Sequence, residues 1–203
     1  MFKTLFAITL GSTLPLAAVA ASFDDPDWPC IQRKVPDISV AQMWAGPEVT
    51  DAIIAMGKES AVSDLATRLA LRRVPIDQAE QLIADFAAGL GENRNDMLTA
   101  LFAKTFAHIA SERKSVMAGI SRYAHKQSGL SGRIEEKRTT LVALKAKTPP
   151  DYDRQEELQD NLAWEERIFH ERAQSLTYVC ETPILLEQRI FAIARAIQSH
   201  LAP

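Results

Sequence analysis

Residues 106–144 read FAHIASERKSVMAGISRYAHKQSGLSGRIEEKRTTLVAL. Stepping along this stretch by three and four residues in alternation selects twelve positions, and nine of them are apolar. The twelve are Phe106, Ile109, Arg113, Val116, Ile120, Tyr123, Gln127, Leu130, Ile134, Lys137, Leu141 and Leu144. A heptad repeat sustained over so many positions is typical of a coiled-coil seam. We therefore expect one long helix whose seam packs on a second helix.

Two glycines, Gly129 and Gly132, lie inside this repeat. Glycine weakens a helix and is also the usual residue at helix ends. Because the register is the same on both sides of the glycines, we expect the helix to bend at Ser128–Gly132 and continue. A true turn at this point is the alternative.

A firm break follows at Thr148-Pro149-Pro150-Asp151, and the repeat then resumes. Its positions are Leu158, Leu162, Glu165, Phe169, Arg172, Leu176, Val179, Pro183, Leu186, Ile190, Ile193 and Ile197. Proline removes a helical hydrogen bond, so we expect a kink or a restart at Pro183. Two long helices with a short connection predict an antiparallel hairpin, in which Lys137 falls opposite Glu165.

The two arms of the predicted hairpin carry opposite charge. Residues 111–147 contain nine Lys or Arg and three Asp or Glu, whereas residues 151–179 contain three and eight. Opposite charge on neighbouring helices determines pairing in coiled coils. We therefore expect the basic arm to be neutralised by the acidic arm and not to bind nucleic acid or anionic lipid. The net charge of −3 for the whole chain also argues against a nucleic-acid partner.

The predicted fold class is all-α, a helical base with a long antiparallel two-helix coiled-coil hairpin, stapled by one disulfide. The hairpin spans 111–179, with its tip at 147–153. The base comprises 39–110 plus 180–203, because 97–109 and 184–197 are apolar on several faces and such helices are buried. Shorter base helices are expected from Ser39 to Trp44 and over 48–56, 60–73 and 75–88.

The N-terminus, residues 1–21, has the pattern of a secretory signal peptide. One basic residue, Lys3, precedes an apolar run from Leu5 to Leu16, and small residues follow, so cleavage is expected after Ala20 or Ala21. An uncleaved amphipathic N-terminus is the alternative. No later stretch reaches the length of a transmembrane helix. We therefore expect an exported protein of the bacterial periplasm.

An extended, Pro-rich arm is predicted over 22–38, with Trp28, Ile31, Val35 and Ile38 as its apolar anchors. Trp28 and Trp44 are expected to be core residues. The chain contains two cysteines, Cys30 and Cys180, and an even number in an exported protein predicts a disulfide. Two free thiols are the alternative.

The sequence contains no recognisable catalytic, cofactor-binding or metal-binding motif. No His is preceded three residues earlier by Glu, as a ferritin-like metal site requires. His108 with Glu112, and Glu166 with His170, are spaced four apart, but such pairs on a helix are usually solvated contacts. We therefore predict no catalytic, cofactor or metal residues, and expect that the protein is not an enzyme.

The leading functional hypothesis is an interaction protein that uses the hairpin to contact another envelope protein, as an adaptor, accessory subunit or chaperone. Its candidate contacts are Tyr152, Pro149 and Pro150 at the tip and Trp164 on the acidic arm. A tight connector is the favoured alternative for the tip, and Trp164 could equally cap a hydrophobic gap near the base or lie on its own arm. In outline alone, the architecture resembles periplasmic helical-hairpin adaptors and holdase chaperones. The alternatives are a ligand or metal site in the base near His108 and, last, an enzyme; a homodimer is also compatible with the seam.

Overall fold

A computed structural model describes Asp25 and residues 27–202. The predicted signal peptide, residues 1–21, lies outside the described residues. Within the described part the chain forms six α-helices and no β-strand, which confirms the predicted fold class. The helices are α1 (Val40–Met43), α2 (Asp51–Met56), α3 (Ser60–Ala70), α4 (Ile76–Ala88), α5 (Arg94–Lys145) and α6 (Tyr152–Gln198).

The two long helices, α5 and α6, pack against each other as an antiparallel hairpin. Lys137 Nζ lies 3.1 Å from Glu165 Oε1, so the predicted pairing across the seam is confirmed. α5 runs through Gly129 and Gly132 without a turn, as predicted. The reason is that the seam residues before, between and after the glycines, Gln127, Leu130 and Ile134, stay buried in the same register.

Pro183 occupies a buried seam position inside α6. The helix continues from Tyr152 to Gln198, so it does not restart at this proline. Proline has no N–H to donate to the preceding turn. Burial of the neighbouring seam residue Leu186 between the base helices holds the helix together on the C-terminal side.

The core lies at the open end of the hairpin, where α1–α4 pack around the two long helices. Its largest fully buried side chains come from four helices, α3 to α6, and include Val62, Leu69, Ile83, Leu98, Leu101, Phe102, Ile109, Leu186, Ile190, Ile193 and Ile197. Trp44 is buried and stacks on Phe102 with ring centroids 4.2 Å apart, and its indole N–H donates to the Pro47 carbonyl. Trp44 is thus the core anchor that the sequence predicts.

Two base helices are shorter than predicted. α2 begins at Asp51, because the Thr50 side chain accepts a hydrogen bond from the Ile53 N–H and caps the helix there. α3 ends at Ala70 and not at Arg73. The carbonyls near its end, including Leu69 O, are satisfied by the Arg189 side chain from α6, which the local sequence does not reveal.

The N-terminal arm crosses the hairpin at its root and is covalently attached to it. Cys30 and Cys180 form a disulfide, with Cα atoms 5.6 Å apart, as predicted. The Gln32 side chain donates to the Cys180 carbonyl, and Arg113 donates to the Pro36 carbonyl at 3.0 Å. Arg113 is also paired with Glu187 at 2.6 Å.

The arm is held mainly by these polar contacts, and two of its predicted apolar anchors are wrong. Ile31 is fully exposed and Val35 is 43% exposed, whereas Ile38 packs against the core. Trp28 is half-buried, and its indole N–H donates to the Gln32 carbonyl at 2.6 Å. Only part of the apolar surface of the arm contacts the hairpin, because hydrogen bonds to α5 and α6 determine the path of the arm.

Candidate interaction surface on the hairpin stem

The stem is the part of the hairpin next to the base, residues 111–130 of α5 and 169–185 of α6. One side of the stem, the covered flank, carries Cys180, and Glu187 continues the same face of α6 seven residues further toward the base. The arm runs over this side: Trp28, Met117 and Glu187 line one cavity beneath it. The opposite side, the open flank, carries Ser175 of α6 and Gly119 of α5.

On the open flank, a groove of about 290 Å³ runs between the two helices. Its walls are almost entirely apolar and are formed by the seam residues Val116, Ile120, Tyr123, Leu176 and Val179. Gly119 and Ser175 also line it, and their small side chains leave the seam accessible. Val179 is 42% exposed although it occupies a seam position. The two helices alone therefore do not complete the packing of their own seam at this level.

Exposed apolar side chains extend from the groove along α6, interrupted at the same heptad position by Glu171. Trp164, Tyr178 and Leu185 are separated by multiples of seven residues and so share one face of the helix. Tyr178 is 75% exposed and Trp164 is 57% exposed. At 1.5 Å per residue, the row extends over about 32 Å. Exposed aromatic side chains next to an apolar groove are typical of protein interaction sites.

The helices of the base determine where the groove ends on the side next to the base. Arg189 lies fourteen residues after Ser175 and therefore faces the same flank. There it donates to the carbonyls of Leu69 at 2.7 Å and Val74 at 2.8 Å, at the connection between α3 and α4. α3 packs on α5 and α4 packs on α6, so these helices cover the open flank at the base. The seam extends beyond this cover, and its uncovered part is the groove.

Charged side chains border the groove with opposite sign on its two sides. Arg122 and Lys126 of α5 lie on the flank of Gly119, and Arg122 Nη2 is 3.9 Å from the position of a Cβ built on that glycine. Within the described part of the chain, neither side chain has an ion pair within 4.0 Å. Glu171 of α6 is exposed on the other side. A partner with acidic residues would find unpaired cations on the α5 side.

The tip is separate from this surface. Tyr152 is the first residue of α6 and is 73% exposed, and Asp151 caps the helix by accepting from the Arg154 N–H at 3.1 Å. Pro149 and Pro150 are exposed in the connection, and the Thr148–Pro149 peptide is cis. Tyr152 precedes Trp164 by twelve residues, about 18 Å along the helix and about 120° around it. The predicted contacts at the tip and the predicted contact Trp164 on α6 therefore do not lie in one site.

Among the described residues, no three His, Cys, Asp or Glu side chains lie close enough to hold a metal ion. His108 is half-buried, and its Nε2 is buried without a hydrogen-bond partner in that part of the chain. Arg189 Nη2 is also buried without one. Burial lowers the pKa of Arg189 and Glu112 partly offsets the effect, but an arginine remains charged at neutral pH. No described helix is both long and apolar enough to span a membrane.

The sequence pattern singles out Trp164 as a candidate contact, which stays a prediction, and it does not reveal the groove or Tyr178. Both could have been found: Tyr178 shares its heptad position with Trp164, and the groove residues are all in the predicted seam or next to it. The sequence could not show which part of the seam stays uncovered. That depends on the N-terminal arm and on the layer formed by α3 and α4. The chain matches no family model, no curated protein and no solved structure.

Proposed function

We propose that this chain is an exported, non-enzymatic interaction protein of the bacterial cell envelope, whose hairpin stem binds a helix of another envelope protein. The observation that supports the proposal is the uncovered groove of the open flank, in which Val116, Tyr123, Leu176 and Val179 remain accessible. Export is supported by the signal-peptide pattern of residues 1–21 and by the disulfide, since disulfides persist in oxidising compartments.

A helix is the partner element that suits the groove best. Two packed helices with a heptad seam offer holes at the spacing that the side chains of a third helix fill. In the base, α3 and α4 already cover the same flank in this manner. A helix of about 21 residues would match the length of the exposed row, about 32 Å. Acidic residues on one edge of that helix would pair with Arg122 and Lys126.

The test is site-specific photocrosslinking in the periplasm. A photoreactive phenylalanine analogue replaces Tyr178, Trp164 or Tyr152 in separate variants. The matched control is Ala173, which is exposed on α6 but faces the side of Cys180. We expect one discrete adduct from Tyr178 and Trp164 and none from Ala173.

A second substitution ties the adduct to the groove. Val179→Glu places a charge in the groove at a side chain that is 42% exposed, so the fold should tolerate it. We expect it to abolish the Trp164 adduct. Crosslinking from Tyr152 alone would show that the partner binds at the tip and not in the groove. Many unrelated adducts would indicate a chaperone. No adduct from any position would refute the proposal.

A further inference from the structure

A second cavity, of about 330 Å³, lies in the base between α2 and α5. Its walls are apolar, with Val40 and Val49 before α2, Ile54 from α2, and Phe106 from α5. Ile54 is 52% exposed, which is unusual for an isoleucine next to a core. The volume lies at the lower end of the range for small-molecule sites.

The cavity exists because α5 presents small side chains where α2 crosses it. Ala100, Ala103 and Ala107 follow one another at intervals of three and four residues and form its floor. At one end, Gly57 fits closely against α5: a Cβ on this glycine would lie 3.5 Å from Lys104 Cβ and 3.7 Å from the Ala100 carbonyl oxygen. α2 therefore approaches α5 closely at Gly57, and Ala103, Phe106 and Ala107 line the rest of the channel on the α5 side.

The end of the cavity next to Gly57 is positively charged. Lys58 and Lys104 both line it, and no Asp or Glu does. Neither ammonium group has a carboxylate within 4.0 Å in the described residues. An apolar channel with two unpaired cations at one end is complementary to a molecule with an acyl chain and an anionic head.

We propose that this cavity binds a single-chain anionic amphiphile, of which a fatty acid is the simplest. The carboxylate lies between Lys58 and Lys104, and the chain runs over Ala103 and Ala107 toward Val40 and Val49. The site is distinct from the open flank, since Lys104 and Gly119 are fifteen residues apart on α5, about 22 Å. Binding of the amphiphile is therefore separable from binding of a protein partner.

The test is calorimetric titration of the purified full-length mature protein with dodecanoate. Dodecyltrimethylammonium, which has the same chain and the opposite charge, is the control ligand. We expect saturable one-site binding of dodecanoate and binding of the cation that is weaker by about tenfold or more, as two partly desolvated charge pairs imply. Equal binding of both amphiphiles would overturn the assignment of the head-group site, and no saturable binding of dodecanoate would overturn the proposal.

Variants locate the site. Lys58→Ala with Lys104→Ala should weaken dodecanoate binding by about tenfold. The matched control Lys126→Ala, an exposed lysine of α5 about 33 Å away, should not. Ala107→Phe fills the channel from an exposed position, so the protein should still fold and lose binding. Wild-type affinity in either the double-lysine variant or Ala107→Phe would refute this location.

Discussion

At the scale of single residues, Arg189 shows how a buried charge can organise the base. Its guanidinium donates to the Leu69 carbonyl in the last turn of α3 and to the Val74 carbonyl in the connection to α4. A cation at the C-terminus of a helix also interacts favourably with the helix dipole. Arg189 thus fixes the α3–α4 connection on α6, and this connection sets the lower limit of the open groove.

We predict that Arg189→Ala lowers the free energy of unfolding by about 2–4 kcal/mol, because one buried and one partly buried carbonyl lose a charged donor. Arg195→Ala is the control, since Arg195 is exposed on the same helix and lies over the Phe191 ring. It should change stability by about 0.5 kcal/mol or less. Urea unfolding measures both variants. Equal stability of Arg189→Ala and wild type would show that water replaces the guanidinium at these carbonyls.

At the scale of elements, the heptad pattern predicts both long helices and their pairing, because seam packing depends on residue types spaced along one helix. The same pattern predicts that Lys137 pairs with Glu165 across the seam. It cannot predict where α2 begins or where α3 ends, because the Thr50 cap and the distant Arg189 side chain determine these positions. It also cannot show that the arm covers one flank of the stem, because that contact depends on hydrogen bonds to groups far along the chain.

The continuity of α5 through its two glycines leads to a stability prediction. Gly129 and Gly132 are exposed in a regular helix, and an added Cβ meets nothing closer than the mobile end of Arg133. We therefore expect Gly129→Ala and Gly132→Ala each to raise the free energy of unfolding by about 0.5–1 kcal/mol. Thermal or urea unfolding measures this.

Gly46→Ala is the contrasting variant. Its Cβ would collide with the buried ring of Trp44, which stacks on Phe102, so it should destabilise the protein. A loss of stability in Gly129→Ala or Gly132→Ala would instead indicate a turn at this point in solution.

At the scale of the whole molecule, the disulfide connects the arm to the hairpin across 150 residues of sequence. On the chain-entropy model, closing so long a loop stabilises the fold by about 5 kcal/mol through the unfolded state. We predict that Cys30→Ser with Cys180→Ser lowers the free energy of unfolding by up to this amount, measured by urea unfolding. Hydrogen exchange should show that protection is lost in the arm before it is lost in α5 and α6, since the two helices keep their own core. Loss of protection in the arm and the helices together would contradict this order.

The open flank also bears on oligomeric state, because an exposed apolar groove could be covered by a second copy of the chain. Two stems packed face to face with their tips in the same direction would bring the two α3–α4 layers into collision, since these layers stand on the same flank. If the tips point in opposite directions, α5 of one copy would lie against α5 of the other copy. Residues 111–147 of each copy contain nine Lys or Arg and only three Asp or Glu. Like charges facing each other disfavour that arrangement.

We therefore predict that the protein is monomeric, with its groove available to a different partner. Light scattering across a concentration series should give the mass of one chain at low and at physiological salt. Salt provides the decisive comparison: if repulsion between α5 helices prevents an antiparallel dimer, high salt should favour dimer formation, because it screens exposed charges. Lys126→Glu with Arg122→Glu should have the same effect. A dimer of constant stability at every salt concentration would show that the groove is an interface between copies of this chain.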